Sequence, residues 1–146
     1  MIVLENYINS EWVKSSSTET INVVNPANQD VLAKVPYGSS AAIDVNLACD
    51  SAMKAQKEWS KVPVMKRVQV LYKLKSLFEA HREEIAKIIT DESGKTRDES
   101  FGEIQRAIEN IEVACGTPIL MAGDVIEDIA TGIDEMMIRQ PLGVTA

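Results

Sequence analysis

The spacing of apolar residues changes twice along this chain, and each change predicts a different kind of element. Up to residue 38 the apolar residues fall in short β-prone runs broken by turn formers. Asn6-Tyr7-Ile8 and Glu11-Trp12-Val13 flank Asn9-Ser10, which predicts a tight hairpin. Thr20-Ile21-Asn22-Val23-Val24 is stopped by Asn25-Pro26, and Val31-Leu32-Ala33-Lys34-Val35 by Pro36 and Gly38. From residue 39 to about residue 118, apolar residues recur every three or four positions, the spacing of one helix face. Ser39 or Ser40 can cap a first helix reaching Trp59, with Asp44 near the positive end of its dipole and Ile43, Leu47 and Met53 facing inward. Pro63 opens a second helix whose stripe is Val64, Val68, Leu71, Leu74, Leu77 and Phe78. Ile85, Ile88 and Ile89 continue the pattern to Gly94, a natural helix stop. Thr96-Arg97-Asp98-Glu99 matches a capping box, and Phe101, Ile104, Ile108, Ile111 and Cys115 form the stripe behind it, ended by Gly116 and Pro118. Residues 124–129 and 135–139 then alternate polar and apolar, predicting two strands separated by Gly132 that find no obvious partner in the chain. The last residues, 139–146, read as a strand entering a glycine-bearing turn.

This pattern predicts an α+β architecture: opening strands over residues 1–38, a bundle of about four helices over 39–118, and a two-stranded tail over 119–146. A chain of 146 residues is one domain's worth, large enough for a real core. Its net charge of −7 argues against a nucleic-acid partner, which needs clustered positive charge. No apolar run approaches the length of a membrane span, and the N-terminal residues lack the flanks of a signal peptide. Two cysteines far apart, Cys49 and Cys115, make no disulfide framework and suit a reducing cytoplasm.

Candidate chemistry is sparse. Ser93-Gly94-Lys95-Thr96 resembles a phosphate loop, but the required earlier glycine is Ile89 and a helix precedes the motif, so a helix stop followed by a helix cap is the better reading. Cys49 and Cys115 read as buried structural thiols, because a reactive cysteine needs an exposed, electropositive setting. His81 reads as a solvated helix terminus, and one histidine with inert cysteines assembles no metal site. Arg106 lies mid-helix in Glu103-Ile104-Gln105-Arg106-Ala107-Ile108-Glu109, one step off the apolar stripe. Spacing leaves two readings of it open: a salt bridge to Glu103 or to neighbours around Asn110, or a guanidinium turned into a cleft to clamp a carboxylate.

Four segments in order resemble the N-terminal part of the aldehyde dehydrogenase superfamily: Tyr7-Ile8-Asn9-Ser10-Glu11-Trp12, Val24-Asn25-Pro26-Ala27, Thr90-Asp91-Glu92-Ser93-Gly94-Lys95-Thr96 and Arg139-Gln140-Pro141-Leu142-Gly143-Val144. Residues 102–116 and 118–124 are similar to the methylmalonate-semialdehyde dehydrogenase branch. The resemblance implies the N-terminal part of an α/β fold in which the tail strands form a bridging hairpin for homo-oligomerisation, with residues 119–146 also starting a cofactor-domain strand. It implies that the parent enzyme takes malonate or methylmalonate semialdehyde through a cysteine thiohemiacetal, hydride transfer to NAD, and thioester transfer to coenzyme A with loss of carbon dioxide. It implies that Arg106 holds the substrate carboxylate. The nucleophilic cysteine and the cofactor contacts belong, by the same resemblance, beyond Ala146. This chain alone is therefore expected to lack catalytic, cofactor and metal sites and to be inactive. The competing expectation is a non-enzymatic helical interaction module, or a truncated remnant, that self-associates through unpaired strands.

Overall fold

A computed structural model describes residues 2–38 and 40–145. Among the described residues, six strands pair into three separate two-stranded antiparallel sheets, and five helices lie between the second and third. The first hairpin joins β1 (Asn6–Ile8) to β2 (Glu11–Val13), with Tyr7 opposite Trp12. Asn9 and Ser10 both take positive φ, 53° and 67°, the backbone that a tight hairpin turn requires. The second joins β3 (Thr20–Val24) to β4 (Val31–Pro36), with a register shift at Val23/Val24. Its turn is closed by the Asn25 side chain, whose Oδ1 accepts from Ala27 N at 2.9 Å. One pairing was not visible in the sequence. Leu4 N donates to Lys34 O and Lys34 N to Ile2 O, both at 2.9 Å, so the first residues run parallel along β4.

The helices are α1 (Ala41–Trp59), α2 (Val64–Ala80), α3 (Arg82–Ser93), α4 (Arg97–Cys115) and the single turn α5 (Thr117–Leu120). About four were predicted; Gly116 ends α4 as expected, but Pro118, expected to help end it, lies in the first turn of α5 instead. The buried core is Ala86, Ile104 and Ile108, with Phe78, Ile85, Ile89 and Phe101 packed against it, so it sits where α2, α3 and α4 meet. Gly94 ends α3 at φ +70, as predicted.

Two expectations about faces and one about a cap are corrected. Ile43, Leu47 and Met53 of α1 point outward, each about half exposed, because α1 packs on β1 and its one buried residue is Asp44. On α2 the buried positions are Val64, Arg67, Val68, Leu71, Lys75 and Phe78, in whole or in part, while Leu74 and Leu77 lie outside that line and are exposed. The hydroxyl of Ser40 makes no cap bond, and Ser39 lies outside the described residues.

The tail forms β5 (Asp124–Ala130) and β6 (Ile133–Met137), turned at Gly132 with φ +74. A bulge puts Asp128 at φ 52, its N–H donating to Asp134 Oδ1 at 3.0 Å. Every residue of both strands is exposed. The strand expected from residue 139 onward does not form among the described residues 138–145; a strand needs a ladder partner, and no segment described here lies beside it. Ala146 is outside the described residues. The accessible surface is 11154 Å², whereas a compact monomer of 16.1 kDa exposes roughly 7,400 Å².

Candidate functional site around Arg106

The junction before α4 is built from two of the segments that carried the resemblance. A Cβ placed on Gly94 would stand 2.8 Å from Pro26 Cγ and 3.2 Å from Ala27 N, so the β3–β4 turn rests directly on the α3–α4 junction. The segment Ser93–Thr96 is a helix stop followed by a helix cap, packed against Pro26. Thr96 then starts α4 with the predicted capping box. Its backbone N–H donates to Glu99 Oε2 at 2.9 Å, and Glu99 N donates to Thr96 Oγ1 at 3.3 Å. The Thr96 N–H, followed by its hydroxyl, holds the Glu99 carboxyl below the usual glutamate range.

Two further ties fix the helix. Ser100 is fully buried, and its hydroxyl meets Thr90 Oγ1 at 2.8 Å and donates to Thr96 O at 3.1 Å. Lys75 on α2 reaches both Glu79, at 2.9 Å, and Glu112 on α4, at 3.2 Å. Those carboxylates, Glu79 first, raise the Lys75 pKa above the ordinary lysine value.

Ser100, Ile104, Ile108 and Cys115 are the buried residues of α4. Arg106 is two positions from both Ile104 and Ile108, roughly 160–200° around the helix from them at 3.6 residues per turn. It is exposed, on the face opposite the core rather than at the border of the stripe where the sequence reading put it. The salt bridge considered for it does not form. Glu103, three residues back, is taken by Lys95. Glu109, three residues on, accepts from Gln105 Nε2 at 3.1 Å. The Asn110 amide turns inward to Arg106's own carbonyl at 2.9 Å. Among the described residues the Arg106 guanidinium has no ion-pair partner. A planar fork of donors free on a rigid helix can bind a carboxylate by two parallel hydrogen bonds.

Only one of the two thiols expected to be buried is fully so. Cys115 is buried beside Tyr72 and Lys75, and Cys49 is half-buried; both are free thiols. His81 is an exposed helix junction whose Nδ1 lies 3.1 Å from Glu84 Oε2. No group of three metal-ligating side chains occurs among the described residues, and no described helix is long and apolar enough to cross a membrane.

Asp44 is the polar node that sequence reasoning missed. It accepts from Asn6 Nδ2 at 3.0 Å, Ser15 Oγ at 2.5 Å and Ser16 N at 3.0 Å, tying α1 to the first hairpin and the loop after it. The Ser15 hydroxyl first, then Ser16, hold its carboxyl below the ordinary aspartate range. Its partners lie 28 to 38 residues away, so spacing along one helix could not reveal them.

The aldehyde dehydrogenase family profile matches residues 12–146, nearly the whole chain. The chain belongs to the aldehyde dehydrogenase family. Among its relatives, malonate-semialdehyde dehydrogenase 1 of Geobacillus kaustophilus (strain HTA426) is 46% identical over 144 residues, 99% of this chain and 29% of that protein. Malonate-semialdehyde dehydrogenase of Bacillus subtilis (strain 168) is 44% identical over 141 residues, 97% of this chain and 28% of that protein. The solved methylmalonate-semialdehyde dehydrogenase of Oceanimonas doudoroffii superposes with a TM-score of 0.90 at 34% identity, covering 97% of this chain and 28% of that one. A Sinorhizobium meliloti 1021 protein assigned as a methylmalonate-semialdehyde dehydrogenase, solved complexed with NAD, gives 0.90 at 33% identity, covering 98% and 29%. The chain thus spans under a third of these aldehyde dehydrogenases, and its α/β arrangement is that of their N-terminal portion.

Proposed function

We propose that the chain is the N-terminal portion of an NAD-dependent, coenzyme A-acylating dehydrogenase of malonate or methylmalonate semialdehyde, and that Arg106 holds the carboxylate of that substrate. The observation that carries the reading is the unpaired guanidinium of Arg106 on the exposed face of α4, in a chain 46% identical to a malonate-semialdehyde dehydrogenase. A semialdehyde acid presents one carboxylate at a fixed distance from its aldehyde, and a free arginine fork is the residue type that positions it. In this proposal residues 1–38 and 39–118 are scaffold, and 119–146 supply the bridging hairpin and lead toward the cofactor domain. NAD and coenzyme A bind elsewhere in the enzyme. The packing of Pro26 on Gly94 supports reading Ser93–Thr96 as a helix stop and cap rather than a phosphate loop. We expect the chain alone to be inactive, to sit in the cytoplasm, and to join a homo-oligomer through β5 and β6. The surface in excess of a compact monomer, roughly 3,700 Å² by the same scaling, supports the view that these faces pack on something else.

The test is Arg106→Leu in the complete enzyme, with malonate semialdehyde and propanal as paired substrates. Losing a charge-assisted bidentate contact of about 2–3 kcal/mol lowers kcat/KM for the carboxylated substrate roughly 30- to 150-fold. Propanal turnover changes little. Equal loss on both substrates returns Arg106 to a structural role. NADH formation by the 146-residue chain itself, mixed with NAD, coenzyme A and the semialdehyde, overturns the expectation that it is inactive.

A further inference from the structure

Arg106 has two acidic neighbours at helical spacing, Glu103 and Glu109, and an isolated helix would pair it with one of them. The structure diverts both. Lys95 stands outside α4, between the left-handed Gly94 and the cap Thr96, and its ammonium pairs with Glu103 eight residues along. The Lys95 side chain is 29% exposed and that of Glu103 45%, so the pair is more shielded than a contact between two fully extended surface chains. Glu109 is engaged by the Gln105 amide. The one remaining polar neighbour, Asn110, is turned back onto the Arg106 carbonyl, and Gly102 has no side chain. Each possible partner on the helix is thus occupied by something other than the guanidinium.

The geometry points to Lys95 as a positioning residue: by holding Glu103, it keeps the Arg106 guanidinium open for a substrate carboxylate. This rests on the carboxylate-binding reading of Arg106 for its functional meaning, but not for its structural content. Without Lys95, Glu103 is released and becomes an intrahelical competitor for the same fork. A helix-surface pair of ordinary strength occupies about two-thirds of the arginine, so the substrate-competent fraction falls to about one-third and KM rises about threefold. The effect is one of charge competition and is confined to carboxylated substrates.

Two measurements test this separately. In the 146-residue chain, rotation of the Arg106 guanidinium about its Nε–Cζ bond is followed by nitrogen-detected NMR. It is fast in the native chain, slowed in Lys95→Met, and fast again in Lys95→Met/Glu103→Gln. A guanidinium already slowed in the native chain, or unaffected by Lys95→Met, overturns the proposal. In the complete enzyme, Lys95→Met raises KM for malonate semialdehyde about threefold with kcat and the propanal KM unchanged. Lys95→Arg, which keeps the cation, and the added Glu103→Gln, which removes the competitor, each restore the native KM. A defect in Lys95→Met that Glu103→Gln does not relieve is a folding defect, and it overturns the positioning role. If the NMR pattern holds while Arg106→Leu harms both substrates equally, the carboxylate-binding reading fails and the diversion of Glu103 stands as a structural fact alone.

Discussion

Gly94 and Gly102 lie eight residues apart, yet the same substitution should move stability in opposite directions at the two sites. At Gly94 the backbone is left-handed, φ +70 and ψ 10, which costs an alanine about 1–2 kcal/mol. The new Cβ would stand 2.8 Å from Pro26 Cγ, well inside the separation of about 3.5–4.0 Å at which carbon atoms attract. Relieving that overlap costs about 1–3 kcal/mol, because the β3–β4 turn must move. The stiffer unfolded chain returns about 0.4–1 kcal/mol. Gly94→Ala should therefore destabilise by about 2–4 kcal/mol. Gly102 sits inside α4, and its Cβ would meet nothing within 4 Å. There alanine should stabilise by about 0.5–1 kcal/mol through backbone entropy. Urea unfolding followed by far-ultraviolet circular dichroism separates the two. With a slope of about 1–3 kcal/mol per molar, the midpoints should differ by roughly 1–3 M. Adding Pro26→Ala removes the ring atom, so the Gly94→Ala cost should fall to its backbone share, a coupling of about 1–3 kcal/mol. Equal midpoints for the two alanine variants would refute the reasoning. No coupling to Pro26 would refute the contact while sparing the backbone argument.

Two other outcomes follow from single observations. Asp44 has a folded pKa below its ordinary value, so the stability it contributes is present above about pH 4 and is lost as pH falls through the lowered value. The urea-midpoint advantage of the native chain over Asp44→Asn should be flat from pH 5 to 7 and shrink below about pH 4; taking the difference cancels the similar acid-side loss from Glu99, and a pH-independent difference rules the linkage out. The exposed hairpin should make the chain sediment as a concentration-dependent oligomer, and Val125→Lys/Met136→Lys, a cross-strand pair, should render it monomeric; a native chain that stays monomeric at high concentration removes β5 and β6 as an interface.

What was legible in the sequence was local. The Asn9-Ser10 turn, the Gly94 stop and the Thr96–Glu99 capping box each specify a backbone geometry within a few residues, and each forms where the residues imply. The stripe of α4 was legible too, because Ile104 and Ile108 find their partners on α2 and α3 within this chain. Burial was misread where it depends on what lies opposite. Ile43 and Leu47 are as apolar as Ile104, but each stays about half exposed because the first hairpin packs on α1 at Asp44 instead. Asp44 fits a dipole argument by position, yet its three partners come from the first hairpin and the loop after it, which helical periodicity cannot see. The same limit hid Lys95, which lies outside the helix whose carboxylate it holds.

Placing Arg106 opposite the core, rather than beside it, strengthens the case that its loss would report chemistry. The residues that stabilise α4 are Ser100, Ile104, Ile108 and the Glu112 link to Lys75, all outside the arginine's surroundings. An exposed residue with no ion pair contributes little to folding, within about 0.5 kcal/mol for a substitution away from caps and cores. Truncating Arg106 therefore leaves the helix, its cap and its ties in place. Had the arginine sat at the stripe border, as its sequence position suggested, a leucine there could have repacked against Phe101 or Ile108 and confused misfolding with lost recognition. On the outer face that route is closed. A selective defect toward carboxylated substrates would be attributable to the guanidinium, and an unselective one would dismiss it as a substrate ligand.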